Sequence, residues 1–126
     1  VALTRGTEAS LTWPQALAWR LDRHLLDPVG TEPVGGVVRR LGAVLSMDET
    51  AAELMVRTRR AASEPGELAA ALNTGAVVKA FAFRGAVHYL APEDAGVYLA
   101  LRAAGRQWER TSWVDHYRLT ADDWEA

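Results

Sequence analysis

The side chains best able to hold an anion in this sequence are arginines, and with a few companions they fall into three sets. Lys79, Arg84 and His88 lie along residues 76–90, a stretch with the composition of a β-hairpin. A tip arginine flanked by such groups could bond phosphate or reach into a minor groove. Equally, Arg84 could be a solvated tip and His88 a ring packed on Phe81. Arg102, Arg106 and Arg110 recur every four residues beside Gln107, a spacing that lines one helical face. That face either tracks phosphates or is a solvated stripe with Glu109 as counterion. Arg57, Arg59 and Arg60 close a predicted helix, where cations also favour the negative end of the helix dipole.

Other chemistries find less support. His24, His88 and His116 are far apart and form no helical ligand pair, so no metal site is expected. With no cysteine there is no thiol nucleophile, zinc ribbon or disulfide framework. No nucleophile-elbow, Walker or dinucleotide-binding glycine pattern occurs, and no cofactor is expected. Apolar runs fall short of the ~18 residues of a membrane span, and no signal-peptide pattern opens at Val1, so the expectation is a cytoplasmic, nucleoid-associated protein with no membrane partner.

The 126 residues fit one domain. Their net charge of −2 lacks the uniform positive field of a general nucleic-acid binder, so phosphate must be met by a local patch. Thirteen of the fourteen basic residues are arginine, the side chain better suited to bidentate contacts.

Local signals predict the elements that must position these groups. Thr12-Trp13-Pro14-Gln15 has capping-box form and starts a helix over 13–26, with Leu17, Leu21 and Leu25 on one face and Asp27-Pro28 as the stop. Val34, Val37, Val38, Leu41 and Leu45 predict a second helix. Ser46 and Glu49 at capping-box spacing, with Asp48 as a competing cap, start a third that reaches Arg60. A short fourth holds Leu68, Ala71 and Leu72. Residues 76–83 and 86–90 then read as two strands joined by an Arg84-Gly85 turn, which would set Phe81 opposite His88 and Lys79 opposite Leu90. Pro92-Glu93-Asp94 opens a last helix running to about Glu109.

Helices followed by a hairpin is the element order of a winged-helix domain, with the hairpin as wing and the preceding helix facing the groove. The class expected is therefore α+β, mainly helical: a winged helix with a two-stranded wing hairpin followed by a long helix. Residues 1–11 would be a loose arm, 12–110 the domain and 111–126 the start of a linker or next domain in a truncated chain. The helix facing the groove would be the fourth, EPGELAAALNTG, which carries Glu64 and Glu67 and no cation. Its Asn73 could read adenine or cap the helix.

The segments RRLGAVLSMD at 39–48, KAFAFRGAVHYL at 79–90 and APEDAGVYLALRAAGRQWER at 91–110 resemble the bacterial winged-helix family of alkylpurine and crosslink DNA glycosylases. Arg84-Gly85-Ala86-Val87-His88 is similar to that family's arginine-glycine-threonine-x-histidine wing signature. The resemblance implies a longer chain with further domains, and duplex DNA as partner. It also implies a glutamine, any residue, then glutamine or aspartate motif that holds water against the anomeric carbon while the alkylated base departs. By position this motif falls on Leu45-Ser46-Met47, whose apolar ends can neither take a proton nor orient water. Asp48 is the nearest substitute. No catalytic residue is therefore assigned, Leu45 and Met47 are expected to continue the core, and Ser46 and Asp48 to cap a helix. The implied function is a DNA-binding module with a degenerate catalytic motif. The alternatives are a protein-interaction winged helix, or an active glycosylase in the full-length protein.

Overall fold

The computed structural model describes residues 10–124; most of the expected arm at 1–11, and residues 125–126, lie outside them. Thr12 starts the first helix as its spacing predicts: its hydroxyl accepts from the Gln15 amide (3.4 Å), and the Gln15 side chain accepts from the Thr12 amide (2.9 Å). This helix, α1, spans Trp13–Arg23 and buries none of its residues. It stops short of Leu26 because the chain turns through Leu25 at φ 56°, which sends Leu25 into the core and leaves Leu17 exposed.

Helix α2 spans Val34–Leu41 and buries Val34, Val37 and Val38. The apolar pattern predicts that it continues to Leu45. Instead Gly42, at φ 80°, ends it, and Val44–Leu45 form strand β1. Helix α3 follows at Glu49–Arg57, α4 at Glu67–Asn73, strand β2 at Val78–Phe81, β3 at Val87–Leu90, helix α5 at Pro92–Ala104 and α6 at Thr111–Tyr117. The expected two-stranded hairpin is thus part of a three-stranded antiparallel sheet in the order β1-β3-β2. The third strand is invisible to periodicity because two residues carry no period; it exists only through its pairing with Tyr89 and His88.

Side chains alternate across the sheet and divide the core. Val44 and Tyr89 pack with Val37, Val38, Val56 and Leu68 of the helical layer. On the other face Leu90 packs with Ala82, Ala95 and Tyr98, which holds α5 against the sheet. The class is α+β and mainly helical, as the sequence predicts.

Helix α3 ends before Arg60 because residues 59–61 bond the backbone of Gly30 instead: Gly30 N–H reaches Arg59 O (3.1 Å) and Ala61 N–H reaches Gly30 O (2.8 Å). Helix α4 has no capping side chain of its own, since its N-cap is Gly66. Glu53 of α3 supplies one, accepting from the Gly66 amide (3.0 Å) and the Leu68 amide (3.2 Å). A carboxylate at a helix N-terminus answers both its unpaired amides and its dipole. Glu53→Ala is therefore expected to lower stability by about 1–2 kcal/mol, read as a lower midpoint in urea. An unchanged midpoint would show that water serves α4 as well.

Candidate nucleic-acid interface

The hairpin loop has three residues, not two. Ala82 N–H bonds Ala86 O (3.0 Å), Ala86 N–H bonds Phe83 O (3.1 Å), and Phe83–Gly85 form a 3-10 turn between them. Arg84 (φ 51°) and Gly85 (φ 74°) both adopt the left-handed conformation. The extra loop residue slips the pairing by one: Phe81 faces Val87, Ala80 faces His88 and Lys79 faces Tyr89. A slip of one changes every cross-strand partner, so the expected Phe81–His88 and Lys79–Leu90 pairs do not form. His88 packs edge-on against Phe83 (5.4 Å, 82°) instead of Phe81. Its Nδ1 lies 2.9 Å from Ala86 O. A carbonyl only accepts, so Nδ1 is the donor in this contact.

The candidate cations are mostly engaged within the molecule. Lys79 pairs with Glu49 (3.3 Å) and lies over the Tyr89 ring (5.4 Å). Arg60 donates to Glu32 O (3.0 Å) and is paired with Glu67. Arg59 turns back to Met55 O (2.6 Å), and burial lowers its pKa. Arg57, half-buried on α3, adds to the positive charge near Glu67. The expected stripe Arg102, Arg106, Arg110 is broken, because α5 ends at Ala104 and Arg106 sits at φ 39° outside it, paired with Glu109. Arg102 remains on α5, bonded to Gln107 (3.2 Å) and stacked over Phe81 (4.3 Å) and Trp113 (5.7 Å). Arg84 is exposed at the loop and makes no ion pair or hydrogen bond among the described residues.

Arg84, Arg102 and Gln107 meet around one open cleft of about 280 Å³, lined also by Phe83 and Tyr98. Arg84 and Gln107 also line a second, of about 650 Å³, with Phe81, Trp113, His116 and Tyr117. Sequence reading missed this aromatic side of the site. Its available signal was the Trp113–Tyr117 spacing of four, which places two rings on one helical face. The outer positions of α4 are Ala69, Ala70 and Asn73, neutral and small, so the groove-facing candidate offers no cation.

Glu67 gives a pH readout of the α3–α4 junction. The Arg60 guanidinium, then the Glu64 amide (2.9 Å), hold its carboxyl below the usual glutamate range. A depressed folded pKa means the unfolded chain binds the proton more readily. The Glu67 contribution is thus present above the ordinary glutamate pKa and is lost as pH falls through the folded value. Glu67→Gln is expected to flatten the acid limb of a Tm-against-pH curve, and parallel curves for the two proteins would refute this.

In the Leu45-Ser46-Met47 segment, alternation turns Val44 and Ser46 inward and Leu45 and Met47 outward. Leu45 is 44% exposed and Met47 79% exposed. This corrects the expectation that they continue the core: with α2 ended at Gly42, the helical face no longer reaches them. Leu45 lies directly beside His88 across the β1–β3 pair. Asp48 caps α3, its Oδ1 accepting from Ala51 N–H (2.9 Å). The Ser46–Glu49 capping box does not form; Ser46 is buried and its amide joins Val87 O (3.0 Å). Among the described residues no histidine–carboxylate group is placed to hold a metal ion, and no helix is long and apolar enough to cross a membrane.

Residues 38–126 match the family described as DNA glycosylase AlkZ-like. The chain is 35% identical over 103 residues to an interstrand DNA cross-link repair glycosylase of Streptomyces sahachiroi, an alignment covering 82% of this chain and 28% of the relative. The solved structure of the Streptomyces sahachiroi DNA glycosylase AlkZ superposes with a TM-score of 0.84 at 32% identity, over 91% of this chain and 31% of that one. The chain thus spans under a third of either protein's length, and it belongs to the AlkZ-like DNA glycosylase family.

Proposed function

We propose that this chain is a winged-helix DNA-binding module of a longer DNA-repair protein, with the water-holding motif of its family replaced by Leu45 and Met47. Support for the winged helix comes from the order α2, β1, α3, α4, β2, β3 with the sheet order β1-β3-β2. In this reading residues 12–110 carry the domain and residues 111–126 lead into the rest. The observation that carries DNA binding is Arg84, an exposed cation held at the hairpin loop with no internal counterion among the described residues. Duplex DNA is the partner, and phosphate contact is the source of affinity. Arg57, Lys79, His88, Arg102 and Arg106 contribute mainly by local potential, since the structure engages or half-buries most of them. Arg60, its side chain only 14% exposed, acts chiefly as the α3–α4 brace.

The expected result is weak duplex binding that falls steeply with salt. Arg84→Ala should leave the melting temperature in place, lower affinity at low salt and reduce the slope of log affinity against log salt by about 1. Fluorescence anisotropy on the full-length protein reads the affinity and the slope, and thermal melting checks the fold. An unchanged slope removes the loop from the interface, and absence of binding at low salt refutes the proposal.

A second reading, an active glycosylase, draws on one observation. His88 lies directly across from Leu45, one of the two motif positions, with Nδ1 turned to Ala86 O and Nε2 left for a further contact. Excision by the full-length protein that is lost in His88→Ala would decide for it.

A further inference from the structure

We propose that the larger cleft, between the hairpin loop and α6, is a stacking site for one unpaired DNA base, with the adjoining phosphate held by Arg84. The inference rests on the DNA-binding reading above and adds which DNA the module prefers. Three features carry it.

First, the walls are aromatic and fixed in place. Trp113 meets Phe81 edge-on at 6.2 Å and tilts over Tyr117 at 4.9 Å. Arg102 backs the array, stacked on both Phe81 and Trp113 and bonded to Gln107. Rings held this way lose little freedom when a base stacks on them, which is the usual means of gripping single-stranded nucleic acid without reading its sequence.

Second, the cleft has a polar edge as well as ring faces. The Gln107 amide can both donate and accept, and the His116 imidazole can do either according to tautomer. A base needs this combination of stacking face and hydrogen-bonding edge. An apolar peptide side chain would use the rings alone and leave Gln107, His116 and Arg84 without purpose. The volume of about 650 Å³ lies within the usual range for small-ligand sites.

Third, the anion site is built into the backbone. Arg84 is held at φ 51° directly before Gly85, so the guanidinium stands at the cleft on a loop braced by Phe83 against His88 and Tyr98 (4.9 Å). A non-glycine residue in the left-handed region persists only where its surroundings fix it.

The site is separate from the family's motif positions. Phe81 lies on β2 and Leu45 on β1, at opposite edges of the sheet with β3 between them. The cleft therefore selects DNA that already exposes a base, at a gap, bulge or single-stranded flank, and does not place that base at Leu45-Ser46-Met47.

The test compares a duplex with the same duplex carrying a one-nucleotide bulge, by anisotropy on the full-length protein. The bulged DNA is expected to bind more tightly. Trp113→Ala should lower its affinity by about 5- to 150-fold, the range of one base–aromatic stack, while intact duplex changes by less than about two-fold. Tyr117→Leu, at a half-exposed ring, repeats the test if Trp113→Ala loses the fold. Equal affinity for the two DNAs, or a bulge preference untouched by both substitutions, overturns the cleft proposal while duplex binding stands. No binding of either DNA at low salt overturns the DNA-binding reading and this proposal with it. Preference for a bulged RNA over the bulged DNA overturns the assignment of the occupant.

Discussion

The full-length protein is expected to release no base from a duplex carrying an N7-alkylated purine, and its Leu45→Gln, Met47→Gln double variant to gain that activity. An alkylated base is already a good leaving group, so the protein's task is to orient water and take its proton, worth about 10²- to 10⁴-fold. Neither Leu45 nor Met47 can do this. The structure makes the exchange clean, because both side chains are exposed, Leu45 at the end of β1 and Met47 just beyond it, with buried Ser46 between them. Glutamines there replace apolar groups that face solvent, so no core contact is lost. The expected gain is about 10²-fold or more in single-turnover excision, with an unchanged melting temperature. Excision by the unmodified protein would overturn the degenerate-motif reading. Its loss in Asp48→Ala would assign the role to Asp48, at the cost of the cap that Asp48 gives Ala51; its loss in His88→Ala would assign it to the imidazole beside Leu45. A silent double variant would refute the claim that the two substitutions alone account for inactivity.

Leu90→Ala is expected to cost about 2–5 kcal/mol, toward the upper end of the range for emptied core positions. Leu90 is fully buried, and the cluster around it is built mainly from alanines: Ala82 and Ala95, with Ala43 and Ala80 at its margin. Such neighbours are too short to collapse into the space. The backbone cannot close it either, because β3 is the central strand and is paired on both sides. Urea unfolding with an unchanged m-value and a midpoint shifted accordingly would bear this out; a loss below about 1 kcal/mol would mean that Tyr98 swings in to fill the void. The same layer holds α5 to the sheet, and α5 carries Tyr98 against Phe83 and Arg102 against Phe81 and Trp113. DNA affinity of the folded fraction should therefore fall as well, since the loop that presents Arg84 would lose its brace.

Features that depend on a few neighbouring residues were legible in the chain alone. The Thr12–Gln15 capping box, the Asp48 cap, the Pro92 helix start and the left-handed Gly85 each follow from local sterics and hydrogen bonds, and each stands in the structure. The family was legible for the same reason, in contiguous segments around Leu45 and Arg84. Other features depend on partners remote in the chain and emerge only on folding. Strand β1 exists because Val44 and Leu45 find β3, and the hairpin register followed from how the Arg84 loop closes. Arg60 is spent on Glu67 and the Glu32 carbonyl, which lie on neighbouring elements. Helix α5 stops at Ala104, so arginines four apart in sequence never share a face, while Phe81 and Trp113, 32 positions apart, do share a cleft. Periodicity describes a face only while the element lasts, and where an element ends is settled by what the chain can pack against and bond next.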